Sequence, residues 1–340
     1  MTELHDLLAL YDAQRGGGSV AETAAGVREL SAMFNGLAPH RPGYLADRCL
    51  RRAYVHYYLP VHVARVARVL RELDAYASPL PTPRVLDFGC GPGSAAIAML
   101  LHRPVADLCL VDVVDEVLDD ARFFCTALGV RPRTMHRPPD EKFDLVLAAN
   151  VFSEHTAPLE EWLTDEGYLV VLEPALKEAT RRLMRWRDGA VARGFKIAAP
   201  CLGTATCPML AHDDLWCHQD IPWQRPATIA EIDRRLGLSK ERLKYSYAVI
   251  TKTGRTLAEL VGDAMPPDES FRVVSNLHKE KGKAWAWLCG RQGPLCRAEV
   301  LTRHRSESTA AFFHADRGHV LAMKAEGEFA RSEGPVERLL

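Results

Sequence analysis

The chain has 340 residues, 47% hydrophobic and 26% charged, with a formal net charge of −1. This composition suits a large buried core or two modest ones and excludes collagen and disordered tails. It also excludes membrane spans, because the longest uncharged apolar runs, such as Leu145 to Phe152, fall far short of the ~20 residues a bilayer helix needs.

The N-terminus, MTELHDLLAL, carries acids where a signal peptide would carry a basic segment, so a cytoplasmic protein is expected. Its nine cysteines then read as thiols or metal ligands and not as disulfides. The charge is unevenly spread. Residues 1–176 hold 16 basic and 24 acidic side chains, whereas residues 177–257 hold 15 and 8. The basic middle reads either as a solvated helix face or as a patch facing a polyanion.

Residues 1–80 read as helical. From Tyr54 to Tyr76, Val55, Leu59, Val63, Val66, Leu70 and Leu73 recur at spacings of three and four, a buried stripe, while Arg51, Arg52, Arg65, Arg68 and Arg71 make the other face basic. After Pro79, Pro81 and Pro83 short apolar runs alternate with amphipathic segments, the pattern of a parallel sheet with crossover helices. Strands are expected at Arg84–Phe88, Asp107–Asp112, Phe143–Asn150 and Gly167–Glu173, with a weaker one near Arg131–His136. Helices are expected at Ser94–Leu101, Asp115–Leu128, Leu159–Leu163 and Leu176–Arg193, the last capped by Gly194. Phe195–Ala199 and Lys244–Thr251 read as strands, and the roughly 45 residues between them have no clear period, too long for a structureless loop. Beyond Gly254, Arg272–Ser275, Ala284–Cys289 and Ala298–His304 suggest a small β-rich unit over 254–325, followed by a tail over 326–340.

The most specific motif of the first half is PRVLDFGCGPGSAAIAMLL. A buried strand ends at Asp87, glycines follow at 89, 91 and 93, and Ser94 opens an apolar helix. Glycines let the backbone turn sharply and approach a ligand closer than any Cβ would allow. The spacing is not that of a dinucleotide site, and no phosphate-binding Lys follows. An acid directly before the glycines suits S-adenosylmethionine (SAM), whose sulfonium carries an ammonium group and no pyrophosphate. Asp112 ends the next strand, where a carboxylate can accept from both ribose hydroxyls, and Asn150 ends the third at the sheet's carboxyl edge. The expected cofactor set is Asp87, Gly89, Cys90, Gly91, Gly93, Asp112, Val113 and Asn150. The stretch from Arg84 to Glu173 thus resembles the core of class I SAM-dependent methyltransferases, an α/β Rossmann-like fold, within a domain over 81–253. Methyl transfer from an activated sulfonium is driven by positioning, so no obligatory base is needed, and the sequence offers none. Asn150 is followed by Val151 and Phe152, not by the Pro-Pro-aromatic of many amino-group methyltransferases. Glu154 and His155 lie just beyond, within reach of cofactor or substrate.

The segment APCLGTATCPMLAHDDLWCHQDIPWQRP places Cys201, Cys207 and Cys217 inside the unexplained insertion, 200–243. Thiolates this close usually share a metal. Cys289 is the natural fourth ligand and Cys296 its rival; four thiolates suit zinc or an iron–sulfur cluster, and the absence of CxxC pairs favours the latter. His212 and His218 leave a mixed zinc site open. Cys49, Cys109 and Cys125 read as small hydrophobes.

Together, the methyltransferase core, PC-x5-CP-x8-WCH, a K-x-SY strand and a late Leu-Cys-Gly resemble the mitochondrial small-ribosomal-subunit methyltransferase-like family and its bacterial relatives, over about Ala53 to His304. The resemblance implies a 4Fe-4S cluster on Cys201, Cys207, Cys217 and Cys289 and association with small-subunit ribosomal RNA. Three features depart from the family pattern: Cys201 is followed by Leu202 and Gly203 in place of Pro-His, Tyr57–Pro60 lacks an Arg, and the run from Phe312 to Val320 replaces a basic Trp-Gly-Asp ending. The alternatives are a non-catalytic RNA-binding assembly factor and a methyltransferase for a small molecule or protein.

Overall fold

The structure, a computed structural model, describes residues 3–39, 41–77, 79–152, 158–291, 295–325, 329–331 and 335–338. The N-terminal region is helical as expected. Helices α1 (Leu4–Arg15) and α2 (Val20–Phe34) are separated by Gly16 to Gly18, and Ser19 starts α2 with a capping box in which it and Glu22 satisfy each other's backbone N–H. Helix α3 (Arg48–Ala53) continues through a π turn, Tyr54–Tyr58, into α4 (Leu59–Tyr76). The sequence pattern predicts a uniform helix from Tyr54. Pro60 accounts for the difference, since it offers no N–H and its ring crowds the carbonyl four residues back, so the turn widens.

The six-residue stripe of this helix is buried throughout. Its other face is not uniformly solvated. Arg68 and Arg71 are exposed, but Arg65 is buried, and Arg51 donates to the buried Asp120 at 3.0 Å. Charge periodicity cannot reveal this, because a second apolar layer, with Tyr57, Val61, Ile229 and Ile232, covers the helix from the insertion side.

The central sheet follows: β1 (Arg84–Phe88), α5 (Ser94–His102), β2 (Asp107–Val111), α6 (Asp115–Ala127), β3 (Arg133–Met135), β4 (Phe143–Ala149), β5 (Leu163–Pro174), α7 (Lys177–Ala192) and β6 (Lys196–Ala199). In the insertion lie β7 (Gln219–Pro222) and α8 (Ala227–Leu236), before β8 (Arg242–Thr251). The strand order is β3-β2-β1-β4-β5-β8-β6, with β1 to β5 parallel and β8 antiparallel to β5, β6 and β7. This is the class I Rossmann-like arrangement. Alternate strand residues feed two apolar layers: Val85, Leu110, Leu147 and Leu172 pack with α4, α5 and α6, and Leu86, Val146 and Val171 pack with Leu183 and Met184 of α7.

One expectation needs correction. Leu159–Leu163 is one turn of 3-10 helix, Leu159–Trp162, with Leu163 already in β5; a segment of four or five residues is too short for a stable α-helix. The insertion is ordered by β7, by α8 and by hydrogen bonds. Asp233 on α8 accepts from Tyr57 at 2.5 Å, Arg225 at 2.7 Å and Lys240 N–H at 2.9 Å.

After α9 (Leu257–Gly262) comes the expected β-rich unit, a second sheet of β9 (Ser270–Val273), β10 (His278–Glu280), β11 (Lys283–Gly290), β12 (Cys296–Leu301), β13 (Val320–Ala322), β14 (Phe329–Arg331) and β15 (Glu337–Arg338). Part of the expected tail therefore pairs into this sheet. Among the described residues no helix is long and apolar enough to cross a membrane.

Candidate functional site

At the carboxyl edge of β1 the chain turns through Gly89, Gly91 and Gly93, all with positive φ. A Cβ on Gly89 would stand 2.0 Å from Val151 Cγ1, so glycine lets this turn pass against the segment after β4. Gly91 faces open space, where a ligand can approach the backbone. Asp87 is 1% exposed and accepts from Ala96 N–H at 2.9 Å. Burial pushes its carboxyl up to about 7; Asp112 adds to the rise and the Ala96 N–H opposes it. Asp112 Oδ2 accepts from Gly91 N–H at 2.9 Å and its Oδ1 from Val114 N–H at 3.1 Å, which locks the two expected cofactor segments together. Val113 beside it is 67% exposed. The Cys90 thiol is buried, and burial, with Asp87 and Asp112 nearby, raises its pKa well above the ordinary thiol value, the state of an unreactive thiol.

Asn150 joins this constellation from the far side of β1. It has a left-handed φ of 61°, unlike every other described non-glycine residue, a conformation Asn tolerates better than most. Its Nδ2 lies 3.2 Å from Nδ1 of His62 on α4, and Arg65 NH1 lies 3.4 Å from the same nitrogen. Arginine can only donate, so His62 Nδ1 accepts and the proton resides on Nε2. Burial agrees, pushing the His62 imidazole well below its ordinary pKa. Tyr54 and Tyr58 lie over this ring, at 5.8 and 6.3 Å between centroids. His62 was invisible to sequence reasoning, since nothing in a helical stripe marks which residue meets a strand end 88 positions away. Glu154 and His155 lie outside the described residues.

On the opposite face of the sheet Cys201, Cys207, Cys217 and Cys289 line one cavity of about 40 Å³, together with Arg187 and Arg272. That is several times the space a water-sized body needs. Cys201 follows β6, Cys207 precedes a 3-10 turn (Pro208–Ala211), Cys217 precedes β7 and Cys289 lies on β11. Cys296, the rival fourth ligand, points into the core of the second sheet with Ala286 and Leu288. His212 and His218 do not line the cavity; their rings lie against Trp287 and Trp216. Among the described residues no three His, Cys, Asp or Glu side chains form a group that could hold a metal ion. The four thiols surround a shared space instead.

Burial pushes the Cys207 thiol up to about 12 and Cys217 up to about 11, and neighbouring thiols add to the rise. Positive charge is needed to hold them as thiolates together, and two buried guanidiniums supply part of it. Arg187 donates from NH2 to Gly203 O at 2.6 Å and from NH1 to Ala205 O, and Asp188 pairs with it at 2.6 Å. Arg272 donates to Glu72 and Pro200 O, both at 3.2 Å. The Nε of each is buried with no partner. Arg181 holds the same insertion through the carbonyls of Leu210 and His212, at 3.0 and 2.7 Å. Arg181 and Arg187, part of the basic middle of the chain, thus face neither solvent nor a polyanion but the carbonyls of a loop with little regular structure.

Gly203 is fixed by the same packing, since a Cβ there would stand 2.1 Å from Arg291 O. Gly203→Ala is expected to lower stability by about 1–3 kcal/mol, because the Cys201 loop must back away from the strand carrying Cys289. Denaturant unfolding checks this; an unchanged midpoint would show that the two backbones do not need to touch.

A family model described as the mitochondrial small ribosomal subunit Rsm22 matches residues 141–320, and a methyltransferase-domain model matches residues 55–198. None of the curated proteins matches the chain. Similar solved structures include a ribosomal protein L11 methylase from Lactobacillus delbrueckii subsp. bulgaricus, 16% identical over 56% of this chain and 78% of that one, with a TM-score of 0.35. The plantazolicin methyltransferase BpumL, solved with SAH, is 13% identical over 68% and 97%, with a TM-score of 0.35. The YcgJ protein of Bacillus subtilis is 16% identical over 57% and 98%, with a TM-score of 0.33.

Proposed function

Because the chain belongs to the Rsm22 family of the mitochondrial small ribosomal subunit and carries a SAM-dependent methyltransferase domain, we propose that it transfers a methyl group while bound to small-subunit ribosomal RNA. In this reading a 4Fe-4S cluster on Cys201, Cys207, Cys217 and Cys289 is a structural element. The observation that carries the methyl-transfer reading is the glycine turn, with Asp87 behind it, Asp112 bonded across it and open space at Gly91.

Bound SAM supplies a methyl group already activated on sulfur. The chain's residues have only to bind and orient. Asp87 would take the ammonium group, Asp112 the ribose hydroxyls, and Val113 an apolar face of the cofactor. Asn150, set by His62, borders the space where an acceptor must approach. No side chain is required to move a proton before transfer.

The cluster reading is supported by four thiols around a cavity larger than one ion fills, with two guanidiniums whose Nε atoms lack partners. A cubane cluster on four thiolates is anionic and larger than zinc, which fits both features. It would join the insertion to the second sheet. A second reading, an RNA-binding assembly factor without catalysis, is favoured by the engagement of the Asn150 carboxamide with His62 in place of a Pro-Pro-aromatic motif.

Anaerobic purification, followed by metal analysis, sequencing of co-purifying RNA and SAM calorimetry, tests these points. A brown protein with iron and sulfide, enriched small-subunit RNA and SAM binding is expected. A colourless protein with stoichiometric zinc would overturn the cluster, absence of SAM binding would leave the assembly-factor reading, and absence of RNA at physiological salt would leave another acceptor class.

A further inference from the structure

One face of the second sheet carries a feature that neither the cofactor turn nor the cysteine site uses. On β11 the residues alternate, so that Ala284, Ala286 and Leu288 fill the core while Trp285, Trp287 and Cys289 share the opposite face. His278, from the edge strand β10, is the register partner of Trp285, and its ring stacks on the indole at 3.9 Å and 10°. Arg297, from β12 on the other side, lies over the same indole at 4.1 Å. Trp285 Nε1–H donates to Glu280 at 2.6 Å, which fixes the plane of the ring, and Trp287 meets it edge-on at 6.5 Å. The result is a layered stack of imidazole, indole and guanidinium that ends in the exposed ring of His278.

The charge around this stack is one-sided. Residues 278–305 hold seven Lys and Arg against two acids, Glu280 and Glu299. Both acids are engaged by Lys283, at 3.7 and 3.1 Å. Lys281 is exposed at the β10–β11 turn, and Arg303 and Arg305 are exposed where Thr302 N–H bonds Gly282 O at the same turn; Lys279, the register partner of Ala284, lies on the other face of the sheet. A cationic rim around a π-stack with an open outer face fits a polyanion that itself carries flat rings. A helical duplex hides its ring faces; a single strand offers them.

We propose that this face binds a single-stranded stretch of RNA, with a base stacked on His278 as the next layer and the flanking phosphates on Lys281 and Arg303. The proposal rests on the RNA reading above and adds where, and in what form, the strand is held. Because Cys289 and Trp287 lie on the same strand face, the docking strip runs directly from the cysteine site.

The test uses the full-length protein purified anaerobically and two labelled probes, a 12-nucleotide oligouridylate and an RNA hairpin without unpaired overhangs, titrated at several salt concentrations. The wild-type chain is expected to prefer the single strand. His278→Ala is expected to weaken it about ten-fold, and His278→Phe, which restores a ring, to recover binding. Lys281→Glu with Arg303→Glu should reduce the log–log salt slope by roughly 1.4. His278, Lys281 and Arg303 are exposed, so these variants are expected to keep wild-type far-UV dichroism and SAM binding. If the wild type binds the oligouridylate and all variants bind it equally, or if the hairpin binds as tightly, the proposed face is wrong while the RNA reading stands. If the wild type binds neither probe nor extracted small-subunit RNA at physiological salt, both readings fall.

Discussion

Cys207→Ser is expected to yield little soluble protein and none of the visible absorption that dithionite bleaches. Cys207 is 7% exposed, its N–H donates to Asp188 at 3.1 and 3.2 Å, and the carbonyls of Gly203 and Ala205 just before it are held by Arg187. A serine hydroxyl keeps the shape but is a poor ligand for iron. Structural metal sites contribute on the order of 10–16 kcal/mol, while net domain stability is only about 5–15 kcal/mol, so losing even part of the site is enough to unfold the insertion. Cys49→Ser, at an exposed thiol that does not line the cavity, is the control and should keep both colour and yield. Wild-type absorption and unfolding in Cys207→Ser would remove Cys207 from the ligand set.

The second large effect concerns Asp87. Its carboxyl is raised to about 7 by burial, so near pH 6 most of it is neutral and by pH 7.5 most of it is charged. An ammonium group binds only the charged form. SAM affinity should therefore rise roughly eight-fold from pH 6 to 7.5, with proton release on binding. Asp87→Asn should remove that dependence and weaken binding roughly hundred-fold, the loss expected when one partner of a buried charge pair is deleted. The stability of the ligand-free protein runs the other way. A carboxyl whose pKa is raised in the folded state stabilises the fold below its unfolded pKa and loses that contribution as pH rises through about 7. Stabilisation by SAM should thus be larger at pH 7.5 than at pH 6. A flat calorimetric profile in the wild type would show that Asp87 does not meet the ammonium group.

Much of this was legible in the sequence for reasons of range. Strands β1, β2, β4 and β5 are continuous apolar runs because both faces are covered, and the glycines of the first turn sit where backbone conformation demands them. The grouping of Cys201, Cys207 and Cys217 was legible because thiols are rare and close together. What escaped depends on contacts between distant segments. Helix α8 buries only Ile229, Ile232 and Asp233, too short a pattern to detect, and it is held by Tyr57, 176 positions away. Arg65, Arg181 and Arg187 looked like surface charge because periodicity reports which side a residue faces and not what covers that side. The π turn at Tyr54–Tyr58 arises from Pro60 within an otherwise regular stripe.

The division of the cysteine site between two sheets has a consequence for biogenesis. Cys201, Cys207 and Cys217 come from the insertion, whereas Cys289 arrives with β11. At roughly 5–20 residues per second, the stretch from Cys217 to Cys289 takes about 4–14 s to synthesise. A nascent chain therefore presents three thiols for seconds before the fourth exists. Premature capture of a metal by those three would compete with docking of the second sheet, so in the cluster reading proposed above, faithful maturation calls for delivery once the closing strand is in place.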